Sequence, residues 1–467
     1  MNGPGIRRAA MRLVVPLAAV ALLAAACTGS QKPASVAETA AAPAASPAKT
    51  VAPPATPAGA QLRWLTAELA RLPMSDAQVR AHFDAAFLAQ VSPAALNQSL
   101  EAVIRIDLLS IQVSQPTTVV ANVLAGVGER AQVWLDVDSH GLISWLRVSP
   151  ASTGPVPATW AGVDRALRAV APRVRLLVAK VGNGSCQPVH SIDPGTAAPL
   201  GSAFKLYVLD ALGEAVAAGK VRWDQPLTVT EQVKGLPPGE LQTEPAGTQV
   251  PVLDAAGKMI SLSDNTAADM LISLLGRSSV EASLTTAGMA SPAMNLPFLT
   301  TREIYVLKLH QWPALAKRFI AADESGRRQL LTSVVDRAPL PTLAEAGAWT
   351  MPRDIDSLEY FGSASDLCRA YASLAALDRR PGLSPIGQVL SVNDDGLQLD
   401  PAQWKTTWFK GGSEPGALSL AYLATTRAGP SYAVTVLAED PSQPLGDAAI
   451  PAIVAAVKGA FTLAARG

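Results

Sequence analysis

The chain has 467 residues, with 38 Lys plus Arg balanced against 38 Asp plus Glu, and only three cysteines. That length exceeds a usual single core and calls for two folded domains plus a tail. The balanced charge offers no global field to gather nucleic acid or anionic lipid, so nucleic-acid binding is disfavoured.

Arg7, Arg8 and Arg12 precede an apolar run from Leu13 to Ala26, the layout of an export signal over residues 1–26. The run is too short to persist as a spanning anchor. Leu22-Leu-Ala-Ala-Ala-Cys27 resembles a bacterial lipobox, although leucine stands four residues before the cysteine instead of three. The resemblance implies a lipid on Cys27 and an extracytoplasmic protein anchored to the cell membrane; in an ordinary signal peptide Cys27 would be incidental. Most of residues 27–59 are Ala, Pro, Thr, Ser and Lys, with no aromatic side chain and no periodicity, which predicts a tether without a packed core. No later apolar run is long and uncharged enough to span a bilayer.

Residues 60–157 are expected to form a small α+β domain. Leu62, Leu65, Leu69 and Leu72 recur at helical spacing, and Ser75-Asp-Ala-Gln reads as a cap before Val79, Phe83 and Phe87. From about residue 103 the period changes to two, in runs such as Ala131-Gln-Val-Trp-Leu-Asp-Val and Leu142-Ile-Ser-Trp-Leu-Arg-Val, so strands follow the helices. This order is similar to the cone-shaped domains of the nuclear-transport-factor and ketosteroid-isomerase type. His82 and Asp84 are explained by a polar helix face, and no catalytic residue is assigned there.

After a Pro/Ser/Gly connector at 150–157, residues 158–467 open with a helix and the strand Val174–Val181, then the turn Gly182-Asn-Gly and a helix led by Ser202. Helices dominate the middle, at 210–219, 251–262, 264–275 and 364–377. Strand-like segments return at Thr406–Phe409, Leu418–Ala424 and Tyr432–Leu437 before a closing helix from 446. Strands at both ends of a helical middle suggest a sheet packed with helices in one domain. Cys186 and Cys368 either form a disulfide, which export would permit, or are two small buried apolar residues.

Three short patterns carry chemistry. In Gly201-Ser-Ala-Phe-Lys-Leu, Ser202 and Lys205 share a helix face, and a desolvated amine beside a serine hydroxyl can activate it. Ser263-Asp-Asn265 lies between two helices, where a hydroxyl and an amide project together. In Trp408-Phe-Lys-Gly-Gly-Ser-Glu-Pro-Gly, Lys410 sits on a strand followed by Gly411 and Gly412, which leave room for a ligand along the strand edge. In this order, and with the flanking Glu-Pro-Ala-Gly-Thr and Asp-Asn-Thr-Ala-Ala-Asp text, they resemble the class A β-lactamases and the penicillin-binding D-alanyl peptidases over about residues 165–467. The whole layout is also similar to actinobacterial lactamase-like lipoproteins and to a lactamase-like accessory protein of clavulanic acid biosynthesis.

The resemblance implies an α+β, multidomain protein whose larger domain has a class A β-lactamase-like antiparallel sheet packed with helices. It makes Ser202 the acylated nucleophile, Lys205 its activating base or hydrogen-bond partner and Ser263 a proton relay. Asn265, Lys410, Gly411 and Gly412 would bind a β-lactam, a D-alanyl peptide of peptidoglycan type or a small ester. No metal or cofactor is implied, the only membrane contact is the N-terminal lipid, and a monomer is expected. Two departures stand out: Lys-Gly-Gly has no hydroxyl at its middle residue, and no Glu-x-x-Leu-Asn follows Asn265. Glu281-Ala-Ser-Leu-Thr285 is a partial match that follows the second motif too closely and reads as helix, which leaves Glu303 and the acids of 353–359, themselves readable as a solvated surface loop, as candidates for a substitute base; without one, lactam turnover is weak or absent and an acyl-enzyme accumulates. The rival reading is a catalytically inactive lipoprotein that binds a wall fragment or a protein partner.

Overall fold

The computed structural model describes residues 51–467 apart from 89–90, 102–105, 126–128, 139, 151–154, 183, 447 and 467. The export signal, Cys27 and most of the tether lie outside the described residues. The described chain divides into two compact units, one drawn mainly from residues before 150 and one from residue 150 onward.

The first unit opens with helix α1 (Pro57–Glu68), three residues before the expected start of the domain at 60, because Thr56 caps it and Pro57 occupies the first turn. Helices α2 (Asp76–His82), α3 (Ala85–Leu88) and α4 (Pro93–Glu101) follow, and Ser75 with Gln78 forms the capping box that the sequence proposes. Strands β1 (Ile106–Ser114), β2 (Thr118–Ala125), β3 (Glu129–Val137) and β4 (Ile143–Pro150) then form a sheet in consecutive order. His82 stacks on Trp64 with ring centroids 3.7 Å apart, and its Nδ1 lies 2.8 Å from Gln61 Oε1. Asp84 accepts a bond from the backbone N–H of Phe87. Both residues are thus tied into the helical layer.

The second unit starts with α5 (Trp160–Arg168), β5 (Arg173–Gly182) and β6 (Ser185–Ile192), then the two-residue strand β7 (Ala198–Pro199) and a 3₁₀ turn over Gly201–Phe204 that runs into α6 (Lys205–Ala217). Short strands β8 (Pro226–Thr228) and β9 (Gln249–Pro251) pair with each other. Helices α7 (Val252–Ser261), α8 (Asn265–Leu275), α9 (Arg277–Thr286) and α10 (Thr301–Leu309) follow. The interval from 310 to 360 holds α11 (Ala314–Ala321), α12 (Glu324–Leu330) and α13 (Leu343–Gly347), and β10 (Phe361–Gly362) follows it. Helices α14 (Ala364–Asp378) and α15 (Pro385–Leu390), strands β11 (Trp404–Glu414), β12 (Ala417–Thr426) and β13 (Ser431–Glu439), and helix α16 (Ala449–Ala464) complete it.

The central sheet is antiparallel, in the order β11-β12-β13-β5-β6. Strand β6 was not foreseen, since it is an edge strand with Pro188 inside it and mostly exposed side chains, and it lacks an apolar run. Side chains alternate across the sheet. On one face Leu177, Trp408, Ala421 and Ala433 pack with α6, α8 and α14, and on the other Val178, Phe409, Tyr422 and Val434 pack with α5 and α16. Cys186 on β6 and Cys368 on α14 form a disulfide across a sequence separation of 182. Among the described residues no helix is long and apolar enough to cross a membrane.

Candidate active site

The 3₁₀ turn that carries Ser202 lies against the free edge of the sheet, and glycine makes this approach possible. Gly201 has φ 47°, a region open to glycine, and a Cβ there would come within 2.7 Å of Ser413 N. A Cβ on Gly412 would meet Leu200 O at 2.3 Å and Ser202 N at 2.4 Å. The backbone of β11 therefore runs directly beside the start of the Ser202 turn, and Ser419 Oγ on β12 donates to Leu200 O at 2.5 Å to hold that turn.

Lys205 begins α6 and is fully buried. Its Nζ lies 3.2 Å from Ser202 Oγ, 2.5 Å from Ser263 O, 3.3 Å from Ser263 Oγ and 2.7 Å from Asn265 Oδ1. Lys410, also buried, places its Nζ 3.0 Å from the same Ser263 hydroxyl and 2.6 Å from Gly411 O. Ser202, Lys205, Ser263, Asn265 and Lys410 are thus brought together from the 3₁₀ turn, the start of α6, the α7–α8 junction and β11.

The junction is held in a demanding conformation. Ser263 has φ 58°, which disfavours a residue with a Cβ, and its neighbour stabilises the turn. Asp264 caps α8 through Ala267 N at 2.8 Å and also accepts from Glu240 N at 2.7 Å and Leu241 N at 2.9 Å. Asp269, one turn along α8, accepts from Thr301 N at 2.7 Å and Arg302 N at 2.9 Å, tying α10 to the same base. Asn265 Nδ2 donates to Leu236 O at 2.9 Å and lies 3.5 Å from Tyr305 OH, so the amide is fixed from both ends.

These surroundings set the charges. Burial pushes the Lys205 ammonium down to about 7, against the opposing pull of Asp264 and Asp269. Lys410 is also pushed well below the ordinary lysine value, by burial first and then by Lys205. Two amines sharing one hydroxyl in a dry site thus hold fewer than two protons near neutrality.

Gly411 and Gly412 do different things. Gly412 admits the Ser202 turn, whereas a Cβ on Gly411 would point to the other face of the sheet, 2.8 Å from Phe409 Cζ and 3.2 Å from Leu420 Cδ2. The Phe409 ring therefore occupies the place of a side chain at the middle of Lys-Gly-Gly, which accounts for the missing hydroxyl.

The substitute acids are mostly engaged elsewhere. Glu303 is buried, binds Arg277 at 2.6 Å and closes the Thr300 capping box. Glu281 pairs with Arg328 at 2.9 Å, Asp354 accepts from Trp312 at 2.9 Å, and Asp356 binds Arg173 at 2.9 Å. Glu359 lies 3.2 Å from Nζ of buried Lys308, and on the same ammonium, at 2.5 Å, sits Glu414 at the end of β11. Sequence reasoning passed over Glu414 and Lys308; the one available signal was the position of Glu414 two residues after Gly412.

Residues 163–332 match the model of the beta-lactamase enzyme family, and residues 53–143 match that of the ORF 12 gene product N-terminal region. Among curated proteins none matches. Solved structures similar to the chain include a beta-lactamase from Sphaerobacter thermophilus DSM 20745, 18% identical, with 65% of this chain and 97% of that one covered and a TM-score of 0.45. PBP-A is 17% identical over 66% of this chain and 99% of that one, with a TM-score of 0.44. A beta-lactamase from Chitinophaga pinensis DSM 2588 is 17% identical over 65% and 98%, with a TM-score of 0.46. The family match gives the larger unit a beta-lactamase-like serine hydrolase fold.

Proposed function

We propose that the chain is an exported, lipid-anchored serine hydrolase that is acylated on Ser202 by a β-lactam, a D-alanyl peptide or a small ester. The observation that carries this reading is the shared contact of Lys205 Nζ with Ser202 Oγ, Ser263 Oγ and Asn265 Oδ1, by an amine that burial holds at about 7. Neutral Lys205 takes the proton of Ser202 Oγ as that oxygen attacks the substrate carbonyl carbon. Ser263, donating to the leaving group, is resupplied by the amines on either side of it. The N–H groups of Ser202 and Ser413, on backbones that Gly201 and Gly412 allow to meet, are available to hold the oxyanion. Asn265 orients Lys205 and faces the substrate amide, and Lys410 gives the pocket its attraction for a substrate carboxylate. These residues supply acylation; none of them supplies a base for the water that must release the acyl group.

The small unit is a cone-like domain of the nuclear-transport-factor type, a reading supported by its helices followed by a four-stranded sheet in consecutive order. Export agrees with the Cys186–Cys368 disulfide, since such bonds persist in oxidising compartments.

A fluorescent penicillin and a fluorophosphonate test the central claim. One of them should label the wild-type chain on Ser202, and Ser202→Ala should remove the label while leaving the circular dichroism spectrum unchanged; failure of both to label folded wild type would make this a binding protein. The anchor has its own test: Cys27→Ser should move the protein from the detergent phase to the aqueous phase, and retention in detergent would refute lipidation at Cys27.

A further inference from the structure

Hydrolysis of a seryl ester needs a base placed for water, and one buried acid next to the Ser202 turn has an oxygen to spare. Glu414 ends β11, on the same face as Lys410 and Gly412, since side chains alternate along a strand. Gly412 is the residue whose Cβ would touch Ser202 N, and Glu414 is two residues, about 7 Å, further on. The Glu414 side chain is only 6% exposed, and Oε2 binds Lys308 Nζ at 2.5 Å, while Oε1 is buried without a hydrogen-bond partner. A buried carboxylate oxygen left unpaired calls for a reason.

The neighbouring acid on Lys308 has no such freedom. Glu359 Oε2 binds Lys308, and its Oε1 accepts from Tyr360 N at 3.0 Å. Lys308 is itself fixed: it is fully buried, its Nζ lies 5.3 Å from the Trp349 ring centroid, and its carbonyl accepts from Arg353 at 2.8 Å. The ammonium therefore orients Glu414 without moving. Burial first, then the charge of Glu359 and a hydrogen bond to its carboxyl, raise the Glu414 carboxyl well above its ordinary value against the opposing pull of Lys308, so its base form grows in as the pH rises and is then a stronger base than a surface glutamate.

We infer that Glu414 is the general base that activates the water freeing Ser202 from its acyl group, and that Lys308 is its positioning residue. The inference rests on the serine hydrolase reading above. A water proton passes to Glu414 as the water oxygen bonds to the acyl carbonyl carbon. When the tetrahedral intermediate collapses, the bond from that carbon to Ser202 Oγ breaks, and the proton returns to Oγ. The products are a carboxylic acid and the free serine, with the glutamate restored. An acyl-enzyme that lives long for want of a base then belongs to a Glu414 variant and not to the native chain.

The experiment measures the two steps separately, by stopped-flow with a chromogenic cephalosporin and by intact-protein mass spectrometry. Glu414→Gln should acylate within about threefold of wild type while deacylation falls about 10²- to 10⁴-fold, with the adduct persisting on Ser202. Unchanged deacylation in the Gln variant overturns the role. If that variant does not fold, Glu414→Asp, which keeps the charge but withdraws it by one methylene, should slow deacylation alone by about tenfold or more; a folded Asp variant that loses both steps equally, or neither, overturns it instead. Absence of any Ser202 adduct on folded wild type overturns the hydrolase reading itself, a result distinct from a failure of Glu414.

Discussion

Two fully buried lysines in the larger unit, Lys205 and Lys308, have opposite electrostatic fates. Both pay for desolvation, yet Lys205 falls to about 7 while Lys308 is raised above its ordinary value. The difference lies in direct partners. Lys205 touches a hydroxyl, a carbonyl and an amide oxygen, and the nearby carboxylates of Asp264 and Asp269 are turned toward backbone N–H groups of neighbouring loops. Lys308 touches two carboxylates, Glu359 and Glu414. Burial alone therefore does not decide a lysine's charge; neutral acceptors leave the penalty standing and produce a base, whereas anions cancel it and produce a fixed cation.

The largest effect should come from exchanging the first lysine for a cation that cannot lose its proton. Lys205→Arg keeps a charge in place but has no accessible neutral form, so acylation of Ser202 should fall about 10³-fold. In the native chain only unprotonated Lys205 accepts the serine proton, so the acylation rate should rise with pH through about 7 and level off above it. That rising limb should vanish in the arginine variant. A probe-labelling rate measured from pH 5 to 9 decides the matter: an arginine variant with the native rate and the native inflection would remove Lys205 from the role of base.

The second lysine should answer in stability. Lys308→Met leaves Glu359 and Glu414 buried without their cation, a change worth about 3–5 kcal/mol by the behaviour of broken buried pairs. Urea unfolding measures it, and adding Glu359→Gln to Lys308→Met should recover part of the loss. A Lys308→Met protein as stable as wild type would mean that the pair is solvated in solution and that the contrast with Lys205 is overstated.

The difference between these two sites also marks what was legible in sequence. Ser202, Lys205, Ser263, Asn265 and Lys410 were readable because each belongs to a short pattern, two residues on one helical turn, three at a junction, one on a strand before glycines; spacing pairs residues within a pattern, and the meeting of the three patterns is what the resemblance to the class A β-lactamases implied. The helices over 251–262, 264–275 and 364–377 were readable from apolar periodicity, and the structure has them at Val252–Ser261, Asn265–Leu275 and Ala364–Asp378. The Lys308 cluster has no pattern of this kind. Its three members come from α10, the stretch before β10 and the end of β11, separated by 51 and 106 residues from the lysine, and only the folded chain brings them together. The Cys186–Cys368 pairing was hidden for the same reason, at a separation of 182. The helices between 310 and 347 were not legible because each is short, so no periodicity has room to develop.

The smallest effect concerns the residue that stands between the two lysine sites. Tyr305 OH donates to Pro237 O at 2.9 Å and lies 3.5 Å from Asn265 Nδ2, and its own pKa is raised by burial first and by Glu414 second. It is thus near both Asn265, which holds Lys205, and Glu414, which lies on Lys308. Tyr305→Phe removes one buried hydrogen bond and leaves the Pro237 carbonyl without that donor, at a cost of about 1 kcal/mol in urea unfolding. The acylation inflection near 7 should not move, because Asn265 reaches Lys205 through Oδ1 and keeps its Nδ2 on Leu236 O at 2.9 Å. If the inflection shifts by more than about half a unit, which corresponds to about 0.7 kcal/mol of differential interaction, the phenol couples the two lysines and they cannot be treated as separate electrostatic environments. If it holds while the stability falls as expected, each lysine's charge is set by its own contacts alone.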